Sequence, residues 1–261
     1  MAGGRRGDYL PMTSKPRKGA RTVASVDPEI LLQLEAGTIE TANLTESLAI
    51  NMARLLSAVA PSVPGSSLDL SLGVVQRMAQ AGALLRRHLT APELTIIAAH
   101  TSDTVRGWAA FAVGQNSNRA PLERIDAIRP FATDSHFGVR EWAWMAVRAI
   151  IVADPLGVID RLTPWTQDSD PNVRRFATEA TRPRGVWAAS IPLLRKMPEH
   201  ALPILEALRD DKERYVEDSV ANWLNDAAKD RPDWVFALLD TWAKDGVAPR
   251  LMKRAGRSLS I

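Results

Sequence analysis

Between Val173 and Trp187 the chain reads VRRFATEATRPRGVW, four arginines and a tryptophan around a single acid, Glu179. Arg175 precedes that acid by four positions and Arg182 follows it by three, so on a helix the three side chains share one face. Two readings fit. In one, the three form a surface ladder of ion pairs, each contributing about 0.2–0.5 kcal/mol. In the other, the guanidinium groups keep a functional carboxylate ionised. Such a group is a poor general acid, but it suits a cation that develops during a reaction, or an attacking water. Other reagents are missing from the sequence. There is no cysteine, which removes thiolate nucleophiles and disulfides and suits a reducing, cytoplasmic setting. His88, His100, His136 and His200 lack the spacing of metal ligands. Neither a phosphate-cradling glycine motif nor a serine-nucleophile motif occurs. Chemistry here would rest on carboxylates, arginines and aromatics, with no metal and no cofactor.

The elements that must hold these residues read as helices almost throughout. Asp27-Pro28-Glu29 is a helix start, with a capping acid, a proline at the first helical position and an acid in the first turn. Leu44, Leu48, Met52, Leu55, Leu56 and Val59 keep a 3.6-residue period, and a further helix is predicted from about Leu68 to Leu85. No stretch alternates with period two, so a sheet is not expected. A repeat is visible in DTVRGWAAFAVG (103–114), FGVREWAWMAVR (137–148), PNVRRFATEATR (171–182) and RYVEDSVANWLN (214–225). Each is preceded by a shorter helical segment. Val105, Val139 and Val173 recur 34 residues apart; helix pairs at this period resemble HEAT repeats, and the fold class expected is all-α, a HEAT-like solenoid with a concave groove.

Helical wheels divide the second helix of each pair. Val173, Phe176, Ala177 and Ala180 form an apolar stripe opposite Arg175, Glu179 and Arg182. The preceding repeat buries Val139, Trp142, Ala143 and Ala146 and presents Glu141, Trp144, Met145 and Arg148. The following one packs Val216, Val220 and Trp223 and presents Asp218, Asn222 and Asn225. Arg106, Arg140 and Arg174 recur at one offset and read as structural partners of aspartates in neighbouring turns. Trp108, Trp142 and Trp223 read as core. Trp144 is expected on the open face, and Trp187 at the mouth of the loop that Pro183 opens.

Charge is focused rather than general. The formal net charge is +3, yet residues 1–21 hold six Lys/Arg against one acid and residues 247–261 hold four against none. Residues 136–196 are also net basic, whereas 197–246 carry twelve acids against six cations. Arginine supplies 26 of the 33 cations, which favours forked phosphate contacts. Residues 1–26 are expected to be a disordered basic arm, 27–250 the solenoid and 251–261 a short basic tail. No apolar run is long enough for a membrane span, and the basic N-terminus lacks the apolar core of a secretory signal.

The strings VRRFATEATRPRGVW and YVEDSVANWLNDAAKDRPDWV (215–235), with LEAGTIETANLTESLA (34–49), resemble the HEAT-repeat DNA alkylation repair glycosylases, and their AlkC branch more than their AlkD branch. The resemblance spans most of residues 28–245. Departures from the branch are Thr178-Glu179-Ala180 where S-E-G is common, Gly185-Val186-Trp187 where L-P-W is common, and Trp223 where histidine is common. The resemblance implies a DNA-3-methyladenine-type glycosylase, an N-glycosyl hydrolase that removes cationic N3- or N7-alkylated purines from duplex DNA. Glu179 matches the family's motif glutamate, Arg175 its groove arginine and Trp187 its groove tryptophan. Glu179, with Glu141 beside it, is then expected to stabilise the oxocarbenium-like sugar and align water. Trp187 and Trp144 would lie against the lesion or sugar. Arg175, Arg182, Arg184 and Arg148 would hold phosphates, with Asn222 also facing the DNA. The partner expected is alkylated double-stranded DNA, bound by a monomer without deep base flipping. The alternative is a non-catalytic HEAT scaffold that binds DNA or protein through the same groove. The acidic wall that includes Asp218 leans toward it.

Overall fold

The computed structural model describes residues 17–259, and among them only helices and turns occur. The N-terminal part contains α1 (Pro28–Glu35), α2 (Leu44–Ala49), α3 (Met52–Val59), α4 (Val74–His88) and α5 (Ala91–Ala98). The repeats follow with α6 (Asp103–Gly114), α7 (Pro121–Ala127), α8 (Arg129–Ala132), α9 (Phe137–Ala146), α10 (Arg148–Ala153), α11 (Pro155–Leu162) and α12 (Pro171–Thr181). The chain continues through α13 (Pro192–Lys196), α14 (Leu202–Leu208), α15 (Arg214–Ala228), α16 (Pro232–Lys244) and α17 (Pro249–Ala255). Second helices stack in order, α4 on α6, α6 on α9, α9 on α12 and α12 on α15. This is the helical-repeat solenoid expected from the period.

Local chemistry sets the helix ends. Asp27 accepts from the Glu29 amide with Pro28 in the first turn, and Asp170 does the same for Asn172 behind Pro171. These side chains satisfy amides that have no partner within the helix. Asn51 accepts from the Ala53 and Arg54 amides, so it starts α3 and interrupts the 3.6-residue pattern between Leu44 and Val59. A periodic apolar stripe survives such a break, which is why the sequence reads as one helix there. The helix expected from Leu68 begins later, at Val74, because Gly65–Ser67 forms a 3-10 turn and Gln80 binds the Asp69 amide and the Ser67 carbonyl in the connecting segment.

Core residues run without a gap from Leu34 to Ala255 and include Trp108, Trp142 and Trp223, all at most 4% exposed. Two glycines let helices approach closely. A Cβ at Gly114 would stand 2.3 Å from the Ala146 carbonyl oxygen, and one at Gly82 would stand 2.8 Å from the Ala112 amide nitrogen. Arginines tie the inter-helix turns. Arg106 forks onto Asp134 and Arg174 onto Asp211, and each also donates to two carbonyls of the turn before it. Arg140 departs from the pattern. It binds the Asp134 and Ser135 carbonyls, and its second amino group reaches the Tyr215 hydroxyl.

Both ends of the described chain pack onto the solenoid. Arg17 forks onto Glu46 of α2, and Asp103 accepts from the Thr41 amide and hydroxyl. These bonds tie the start of α2 to α6, and the Thr41 carbonyl lies 2.7 Å from His136 Nε2 at the start of α9. Residues 1–16 of the expected basic arm lie outside the described residues. The segment read as a tail after residue 250 continues the helix α17, which seals Leu251 and Ala255 against its neighbours and packs on α15.

Candidate functional site

Arg175 is the hinge of the site. Its Nη2 lies 2.7 Å from Glu141 Oε1 on α9 and 3.3 Å from Glu179 Oε1 one turn along α12. Arg182 continues the line, with Nη1 3.1 Å from Glu179 Oε2 and Nη2 2.6 Å from Asp226 Oδ2 on α15. Ser219 donates to Glu179 Oε1 at 2.9 Å and shares a short hydrogen bond with Thr178. Carboxylates and guanidinium groups therefore alternate across three neighbouring second helices. The Tyr215 ring lies under Arg175, 4.1 Å from the guanidinium carbon, with Arg140 5.3 Å from the same ring.

The two glutamates differ in access. The Glu141 side chain is 31% exposed, whereas Glu179 is 3% exposed. The helical wheel put Glu179 on an open face; instead α15 closes over it with Ser219, and Arg175 and Arg182 cover its flanks. Burial pushes the Glu179 carboxyl up, but Arg175, Arg182 and the Ser219 hydrogen bond outweigh that and hold it below the ordinary carboxylate range. It is a buried anion, satisfied on every side.

Glu141 opens into a pocket of about 260 Å³ whose walls include Phe137, Trp144, Met145, Arg182 and Trp187, with Leu44 and Ser47 of α2 on one side. Trp144 was expected on the surface. It is 2% exposed, its ring forms pocket wall, and its indole N–H donates to Glu141 Oε2 at 2.9 Å. Trp187 is 48% exposed and adopts φ +59°. That left-handed backbone costs a bulky residue about 1–2 kcal/mol and persists only where the surroundings impose it.

Arg148 imposes it in part. Its Nε donates to the Ala189 carbonyl, Nη1 to Ala180 and Nη2 to Arg182, so both ends of the loop that carries Trp187 are held by one guanidinium. Burial and then the charge of Arg182 pull Arg148 down to about 10. This corrects the expectation of a phosphate contact: the side chain has turned inward, and carbonyls engage Nε and both amino groups. Arg184 reaches outward but forks onto Asp230, which Arg195 also grips. Asn222 accepts from Arg257, so the face of α15 expected to be open is covered by the C-terminal segment. Glu141, Arg175, Glu179, Arg182, Trp144 and Trp187 are thus brought together, while Arg148, Arg184 and Asn222 stand around them with other partners.

Ser219, Asp226 and Tyr215 complete the network and were not singled out from the sequence. A signal was present, because Ser219 and Asp226 are seven apart in the SVANWLND string and so share a helix face.

The fold and this site define a HEAT-repeat solenoid with a carboxylate-bearing aromatic pocket. The HEAT-repeat family model matches residues 91–182. Among solved structures the chain is similar to Pseudomonas fluorescens alkylpurine DNA glycosylase AlkC bound to DNA containing an abasic site analogue. The TM-score is 0.66 at 25% identity, over 92% of this chain and 65% of that one. It is also similar to AlkD2 from Streptococcus mutans, with TM-score 0.60 at 21% identity over 75% of this chain and 95% of that one. An uncharacterized protein of Bacillus subtilis (strain 168), YhaZ, is 42% identical over 85 residues, 31% of this chain and 23% of that protein. The chain thus spans less than two-thirds of the AlkC chain. Its fold is that of the AlkC/AlkD-type HEAT-repeat glycosylases. Among the described residues no helix is long and apolar enough to cross a membrane.

Proposed function

We propose that this protein is a DNA glycosylase that cleaves the N-glycosidic bond of cationic N3- or N7-alkylated purines in duplex DNA. One observation carries the reading: a partly exposed carboxylate, Glu141, braced by Arg175 and Trp144 in the wall of an aromatic pocket. The similarity to AlkC, in a complex with abasic-site DNA, supports it. An alkylated purine of this kind already carries positive charge. When the glycosidic bond breaks, its electron pair goes to the base, which leaves neutral without a general acid. The sugar becomes oxocarbenium-like, and a fixed anion beside it stabilises that state. Water then adds to the anomeric carbon and its proton passes to solvent. Trp144 and Trp187 supply aromatic faces for a cationic base or sugar.

In this assignment Glu141 is the anion nearest the sugar and Glu179 the one that holds Arg175 and Arg182 in place behind it. Release of 3-methyladenine and 7-methylguanine from methylated duplex tests it, with wild type, Glu141→Gln and Glu179→Gln compared as folded proteins. Glu141→Gln is expected to lower the rate by about 100-fold or more. Full rates in that variant would remove the assignment. A second reading, a DNA-binding scaffold that releases no base, is favoured by the sealing of Glu179, the acid most like the family's motif residue. Binding without base release by the wild type would establish it.

A further inference from the structure

The outward face of α15 was expected to present acids toward a negatively charged ligand. The C-terminal segment reverses that charge. Arg250 pairs with both Glu217, at 2.7 Å, and Asp218, and Arg254 lies 3.5 Å from Asp218. Arg257 donates to Asn222, and Ser258 donates to Asn225 at 2.9 Å. Two acids of α15 are therefore consumed in placing two arginines, and the segment brings four cations in all, with Lys253 and Arg257 in excess over those acids.

Three of these cations, with Arg214 of α15, surround a depression of about 590 Å³ lined by Arg214, Pro249, Arg250, Lys253 and Arg254. Arg214 and Lys253 are exposed, and among the described residues no carboxylate stands within ion-pair distance of either. Four cations thus converge on one concavity, and the carboxylates paired with them are Glu217 and Asp218. Mutual repulsion makes such a cluster costly unless an anion completes it. Arg214 directly precedes Tyr215, whose ring supports Arg175, and Ser219, which binds Glu179, follows one turn later on α15. The depression and the candidate site are consequently held by one helix.

We propose that this depression is a phosphate-binding subsite for the DNA backbone, built by folding the basic C-terminal helix over the acidic face of α15. The inference rests on the DNA reading given above. Arg214 and Lys253 are the direct phosphate ligands. Arg250 and Arg254, oriented by Glu217 and Asp218, form the rim. Phosphate contacts of this kind position a duplex without reading its sequence.

The test measures binding of an undamaged duplex by fluorescence anisotropy across a salt series. Wild type is compared with Arg214→Gln/Lys253→Gln and with a control of equal charge change, Arg161→Gln/Lys244→Gln, which removes exposed cations from α11 and α16. All four side chains are exposed, so the variants should fold, and their melting temperatures verify it. Each phosphate contact contributes a slope of about 0.9 in log K against log salt. The Arg214/Lys253 variant is expected to lose about two units of slope, and the control almost none. Equal slopes in the two variants would overturn the inference while leaving the glycosylase reading intact. A shallower slope in the first variant, in a protein that releases no base, would keep the subsite and remove the glycosylase. A wild type that binds no duplex would remove both.

Discussion

Replacing Glu179 with glutamine takes one negative charge from between two guanidinium groups, Arg175 at 3.3 Å and Arg182 at 3.1 Å. At these separations each attraction is about 5 kcal/mol for an effective dielectric constant near 20. Desolvation of the carboxylate offsets several kcal/mol of that sum. Each arginine also keeps a second acid, Glu141 for Arg175 and Asp226 for Arg182. Neither cation is stranded, so the loss falls below that of a simple buried pair, at about 2–4 kcal/mol. For a chain of this size the melting temperature should drop by roughly 5–15 °C. The pH dependence carries the sign of the argument. Glu179 is held below its ordinary value of 4.5 in the folded state, so its contribution is complete above that pH and is lost as pH falls toward the folded value. Glutamine does not titrate. The deficit of the variant should therefore shrink below about pH 4.5, by at most about 1.4 kcal/mol per pH unit. Urea unfolding of both proteins over a pH series measures this. A variant within about 0.5 kcal/mol of wild type near neutrality, or a deficit that grows on acidification, would refute the buried-anion account.

Other outcomes follow from the same contacts. Arg148→Met leaves the Ala180, Arg182 and Ala189 carbonyls without their donor and should cost about 2–3 kcal/mol. Limited proteolysis of that variant should cut between residues 183 and 190, and unchanged cleavage would remove its bracing role. Trp187→Gly should be more stable than Trp187→Ala by about 1 kcal/mol, because alanine keeps the strained positive φ and glycine does not; the reverse order in thermal melts would contradict the left-handed backbone. Gly114→Ala should destabilise by about 1–3 kcal/mol, since its methyl would meet the Ala146 carbonyl where α6 crosses α9; a neutral change in urea unfolding would show that the helices can part.

Much of the architecture was legible because it is written in local signals. The all-helical reading came from period, the pairing of helices from the repeat, and the core tryptophans from the apolar stripe. Arg106 and Arg174 were recognised as ties because a repeated offset beside a turn aspartate has a local meaning. The carboxylate-arginine constellation was also legible, since Arg175, Glu179 and Arg182 share a face whatever surrounds them. The single-helix wheel failed where a second element intervenes. It exposed Glu179, which Ser219 of α15 covers, and it exposed Asp218 and Asn222, which Arg250 and Arg257 cover. It aimed Arg148 at solvent, although three carbonyls of the loop after α12 draw it inward.

The sequence by itself determined that this chain forms stacked helix pairs and that charged and aromatic groups collect on their second helices. Short-range periodicity and capping are sufficient for that, since they act within a few residues. Only the tertiary structure decided which of two glutamates meets a pocket and which is sealed behind it. The distinction depends on desolvation by α15, far along the chain. The same long-range packing turned the acids of α15 into anchors for a basic helix, and so set the sign of the surface beside the site.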